Sequence, residues 1–117
     1  MPKTHVVPRH RVVVLPILRP VAQRLIMPNW LAITIGRVIF AWRALDEAEL
    51  AHELTHVRQW AENGFFTYII RYMGESARAK AGGGDRYRDN RFEREAREVE
   101  EAVRRRLAKV ESTQPPH

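Results

Sequence analysis

The apolar positions of this chain change period several times. His10 to Leu15 (HRVVVL) is β-branched and closed by Pro16, which predicts a short strand. Residues 17–29 carry no clear period; Pro20 can open a short helix through VAQRLIM, and Pro28-Asn29 marks a turn. In WLAITIGRVIFAW, the runs Ile33–Ile35 and Val38–Trp42 favour two strands, with Gly36 as a tight turn or bulge between them. From Asp46 onward the period is helical. Asp46 and Glu49 have the spacing of a capping box, and Asn63-Gly64 supplies a stop, so a helix is expected over Glu47–Glu62. A second helix is expected over Phe65–Ala79 (FFTYIIRYMGESARA), whose apolar first half predicts a central place in the core. AGGGDRYRDN is a loop, and a third helix follows over Arg91–Val110, with a core stripe of Phe92, Ala96, Val99, Val103 and Leu107. The pattern predicts an α+β fold: a small sheet of about three short strands packed on a core of three helices. Residues 1–9 read as a loose arm, 10–110 as one domain and 111–117 as a polar tail.

On a helical wheel, Leu50, Leu54, Val57 and Ala61 form one stripe of the first marked helix, and His52 and His56 fall roughly opposite it. The stripe predicts the buried face and the histidines the open one.

Composition narrows the chemistry. The 117 residues include no cysteine, which excludes disulfides, thiolate zinc sites and thiol nucleophiles. The net charge is +6, and many of the arginines lie in the C-terminal third, where RFEREAREVEEAVRRRLAKVE interleaves both signs. That pattern fits a solvated helix with paired charges better than a nucleic-acid surface, since no nucleic-acid motif accompanies it. No segment reaches the roughly 20 apolar residues of a membrane span, and the N-terminus lacks the plan of a signal peptide. A cytoplasmic protein is the expectation.

The chemistry-bearing stretch is His52-Glu53-Leu54-Thr55-His56. Imidazoles four residues apart on a helix project side by side, and two ring nitrogens can then reach one zinc ion. Glu53 can face the same region without being a ligand and take a proton from water at the metal. A catalytic zinc site needs a third protein ligand. Glu62, Glu75, Asp85, Asp89 and the glutamates of the third helix are the downstream candidates. Glu93 and Glu95 flank that helix's core stripe on opposite sides, so the wheel does not choose between them. Glu93 also stands where it would complete a capping box with Asn90. Glu98, Glu100 and Glu101 read as solvated partners of arginines.

HELTHVRQW followed by NRFEREAR resembles the minigluzincins, small soluble metallopeptidase-like domains, over about residues 28–100. The resemblance implies zinc bound by His52, His56 and a glutamate that opens a pattern Glu-any-any-Ala followed by Asp or Asn. Glu93-Arg94-Glu95-Ala96 matches it, which favours Glu93 as third ligand with Glu95 in reserve. Arg97 departs from it, leaving histidine support from that position in doubt. The resemblance further implies a strand beside the cleft, about Val38 to Trp42, that pairs with an extended substrate.

The function expected is zinc-dependent hydrolysis of peptide or unstructured protein substrates, with Glu53 as general base and Tyr68, Tyr72 or Tyr87 as candidate oxyanion donors. Tyr68, Tyr72 and Trp60 read first as packing residues. A chain this short offers little beyond one cleft wall, so latent or weak activity is part of the expectation. The alternative is a zinc-stabilised, non-catalytic binding module with a basic surface.

Overall fold

β-Branched residues set the sheet of this computed structural model, which describes residues 9–25 and 31–113. Strand β1 is Arg11–Val14, β2 is Ala32–Ile35 and β3 is Val38–Ala41. The order is β1-β3-β2, with β1 parallel and β2 antiparallel to β3. Gly36, at φ 63°, takes the first position of the β2–β3 hairpin loop, where a positive φ matches the twist of the strands. The sheet packs with helices α1 (Leu18–Leu25), α2 (Glu47–Asn63), α3 (Phe65–Ala81) and α4 (Arg91–Thr113) in an α+β fold.

Four of these elements correct the sequence reading. α1 is the short helix that Pro20 could open, standing beside the three helices of the expected core, but its start differs. It begins two residues before Pro20, which is tolerated in a first turn because its missing N–H has no helical acceptor there. The expected turn at Pro28-Asn29 lies outside the described residues. β3 is the central strand, paired on both sides, so Val38–Trp42 is not the rim that could pair with a substrate; β1 and β2 are the edges, and β2 is the one that contacts α2. α4 continues to Thr113 and takes in the first residues of the expected tail.

The fourth correction concerns α3. Of its apolar residues only Tyr68 is buried, while Phe66, Ile70 and Met73 are 78%, 72% and 64% exposed. The core lies instead where α2 meets α4 and the sheet, around Ile39, Ala48, Val57, Phe92 and Ala96. α3 is a peripheral helix that turns its tyrosines inward and its aliphatic stripe outward.

α2 is fixed at both ends as its sequence predicts. Asp46 accepts a hydrogen bond from the Glu49 N–H at 2.7 Å, and the Glu49 carboxylate accepts one from the Asp46 N–H at 2.9 Å. Gly64, at φ 82°, closes it by donating its N–H to the Trp60 carbonyl. Its buried face follows the leucine stripe only in part: Val57 is fully buried. Leu50 and Leu54 are half-buried and Ala61 exposed, whereas Glu53, Thr55, His56 and Gln59 are buried. These polar residues tolerate burial because each has a hydrogen-bond partner. Among the described residues no helix is long and apolar enough to cross a membrane.

Candidate metal centre

The i, i+4 spacing on α2 places the His52 and His56 rings 5.1 Å apart, centroid to centroid. α4 lies against this face and carries Glu93 into it. Glu93 Oε1 is 2.7 Å from His56 Nε2 and 3.7 Å from His52 Nε2. Ligand atoms around a tetrahedral zinc are about 3.4 Å apart, given bonds of about 2.0–2.1 Å, and these separations bracket that value. His52, His56 and Glu93 thus lie close enough to hold a metal ion, each offering one ligand atom. Glu95, the reserve ligand, is exposed and engaged with Arg58 and Gln59, so it does not reach the centre. Glu62, Glu75, Asp85 and Asp89 are not part of the cluster either.

The hydrogen-bond network fixes which nitrogens face the centre. His52 Nδ1 is 2.8 Å from a Glu100 carboxylate oxygen, which can only accept, so Nδ1 carries the proton. Gln59 donates its amide nitrogen to the Phe92 carbonyl and to Glu95, which turns its oxygen toward His56 Nδ1, 2.9 Å away. His56 therefore donates from Nδ1 as well. In their neutral form both imidazoles direct an Nε2 lone pair inward, at a buried Glu93 Oε1. Three lone pairs converging in a buried site repel one another unless a cation sits between them, either a metal ion or a proton that makes an imidazole cationic. A metal ion satisfies that requirement, and the donor set of two imidazoles and one carboxylate suits zinc.

Tyr72 donates to the other Glu93 oxygen at 2.6 Å, leaving Oε1 as the single inward donor atom. Burial alone would raise the Glu93 pKa, but contacts from His52, His56 and Tyr72 outweigh it and hold the group at about 2. For His56, burial works toward a lower pKa, yet the nearby Glu93 and Glu53 carboxylates carry it above the ordinary imidazole value. The capping-box reading of Glu93 does not hold: Asn90 caps α4 by accepting from the Phe92 N–H, while the Glu93 side chain turns inward.

Glu53 stands beside the cluster. Thr34 of β2 donates to its Oε2 at 2.7 Å, tying the buried carboxylate to the edge strand. Glu53, His56 and Glu93 line a cleft of about 400 Å³ with two walls, β2 on one side and the inner face of α3 on the other. The short chain thus builds the second wall that its length seemed to deny. Trp60 both packs, against Phe65 and Tyr68, and lines this cleft.

The tyrosines divide by role. Burial and then Glu93 raise the pKa of Tyr68, Tyr72 and Tyr87, with Glu53 adding to the rise for Tyr68 and Tyr87, which keeps all three as protonated donors. The Tyr68 hydroxyl is committed to Gln59 and that of Tyr72 to Glu93. Tyr87, at the cleft mouth, has a hydroxyl with no hydrogen-bond partner among the described residues.

Glu100 and Gln59 are the functional residues the sequence did not reveal. Glu100 sits in a run of charges and shares its carboxylate between His52 and Arg104, and Gln59 belongs to no recognised motif. A signal for Glu100 exists in retrospect: it lies seven residues beyond Glu93, two turns further along the same helix face. No protein-family model, curated protein or solved structure matches this chain.

Proposed function

We propose that the chain is a zinc-dependent peptide hydrolase of the minigluzincin kind. One observation carries the reading: two Nε2 lone pairs and an orphaned carboxylate oxygen converge beside an unliganded glutamate in an open, two-walled cleft. Zinc in that position supplies Lewis-acid polarisation of a substrate carbonyl and lowers the pKa of water.

The chain's own residues do the rest. Glu53 accepts the proton of the attacking water and passes it to the leaving amine, while Thr34 holds its carboxylate in line. The free Tyr87 hydroxyl donates to the oxygen on which negative charge develops. The open edge of β2 offers backbone N–H and C=O groups to an extended peptide, and the apolar cleft receives one of its side chains.

Purified protein loaded with one equivalent of zinc should cleave an unstructured peptide library. Glu53→Gln should keep the zinc and the fold while lowering the rate by about 10²–10⁴-fold. Zinc retention with equal, negligible turnover by both proteins would leave the non-catalytic binding module as the correct reading.

A further inference from the structure

The cleft does not end at the metal centre. Beyond Glu53 it continues into a second recess of about 470 Å³, lined in part by Leu31, Ala32, Glu53, Tyr87, Arg88 and Arg97. Ala32, Glu53 and Tyr87 border both halves, so one groove follows β2 from Ile35 to Leu31 with the candidate centre between its halves. The two halves differ in chemistry. The first is walled by Ile33, Ile35, Trp60, Ile69 and Met73. The second is lined in addition by the charged side chains of Glu49, Glu53, Glu100, Arg88 and Arg97.

Three acids reach the second half, and each is engaged within the fold. Glu49 is held by Arg43 and by the Asp46 N–H, Glu100 by His52 and Arg104, and Glu53 by Thr34. The two arginines form no such ion pair among the described residues: Arg88 feels the Asp85 carboxylate only at longer range, and that acid is itself engaged by the Tyr87 and Arg88 N–H groups. Arg97 spends one N–H on the Arg88 carbonyl at 2.9 Å. That hydrogen bond joins the loop carrying Arg88 to α4, so both cations stand on one braced unit beside Tyr87.

We infer that Arg88 and Arg97 form a subsite for a substrate carboxylate, on the side of the centre opposite the apolar half. The inference rests on the peptide-cleft reading above. A guanidinium with spare donors binds a carboxylate through paired, charge-assisted hydrogen bonds, and this recess is the place in the cleft where one is offered. Direction follows from β2. A peptide that adds antiparallel to this strand runs with its C-terminal end toward Leu31, into the half that holds the two arginines. The carboxylate is therefore that of a substrate C-terminus or of an acidic side chain on the C-terminal side of the cleaved bond.

Equilibrium binding to zinc-loaded Glu53→Gln protein tests this without turnover. The probes are three fluorescein-labelled hexapeptides of one sequence. One ends in a free carboxylate, one in an amide, and one in an amide with a glutamate at the penultimate position. At least one acid-bearing peptide should bind about tenfold tighter than the neutral amide. The peptide that does so tells a C-terminal acid from an acidic side chain. The preference should vanish when Arg88→Ala or Arg97→Gln is added, and Arg97→Lys should retain part of it. Arg88 is exposed and its side chain has no hydrogen bond among the described residues, so its variant keeps the test sound if Arg97→Gln unfolds. Equal affinity for all three peptides overturns the subsite alone. Absence of binding by any of them overturns the peptide cleft and the subsite with it.

Discussion

At the scale of residues, the candidate centre depends on side chains that never touch a metal. Glu100 and Gln59 set the tautomer of each histidine, and Tyr72 sets which Glu93 oxygen points inward. Orienting partners of this kind are worth about 10–100-fold in metal affinity. Glu100→Ala should therefore weaken zinc binding by about that factor in competition with a chromogenic chelator, and Glu100→Gln, which keeps an acceptor, by less. An unchanged affinity for Glu100→Ala would mean His52 orients itself. His52, Glu53 and His56 were legible from spacing, because four residues on a helix is a distance in space, whereas Glu93 was favoured over Glu95 only by the resemblance to a family. Glu100 was not: one glutamate among many is told apart only by the histidine it meets, 48 positions away. The same blindness applied to Tyr68 and Tyr72, whose hydroxyls are the polar ends of residues that pack.

At the scale of elements, α2 is where local sequence and final structure agree best. Its capping box is a short-range device, so four residues suffice to read it. Asp46→Ala should cost about 1 kcal/mol, measurable by urea unfolding. The Glu49 N–H holds the Asp46 pKa below the usual range, and Arg43 does the same for Glu49. Carboxylates with depressed native pKa values stabilise the fold above their unfolded values and lose that contribution as pH falls through the native ones. The box should thus be intact at neutral pH and fail below about pH 4. Asp46→Ala should flatten the decline in stability there while leaving its slope near pH 7 unchanged.

α3 shows the opposite case. Its apolar density announced burial, but density does not say which face is covered, and the covered face carries the tyrosines. Phe66→Glu or Ile70→Glu should leave the midpoint of thermal unfolding nearly unchanged, a shift within about 0.5 kcal/mol, as expected of exposed positions. A large loss would place α3 back in the core. Strand order was equally beyond reach of the sequence. β2 and β3 have the same composition bias, and only the arrival of β1 on one side decides which of them keeps an open edge.

At the scale of the whole molecule, the metal and the fold are coupled. The helices that supply the ligands, α2 and α4, are also the pair that forms the core, so an ion bridging them braces both. Free zinc at 100 times its dissociation constant should stabilise the protein by about 2.7 kcal/mol, a rise in melting temperature on the order of 10–20 °C for a domain this size. His56→Ala should abolish that rise in calorimetry. A melt indifferent to zinc would remove the metal from the account of this fold.

The open edge of β2 has one more consequence. Ile33 and Ile35 stand exposed beside backbone groups that no neighbouring strand in the sheet satisfies. Such an edge accepts any extended strand, including the same strand of another molecule. Two copies meeting there would close both grooves at once. Crowding would then compete with the proposed hydrolysis: specific activity should fall as protein concentration rises, and dilution alone should restore it.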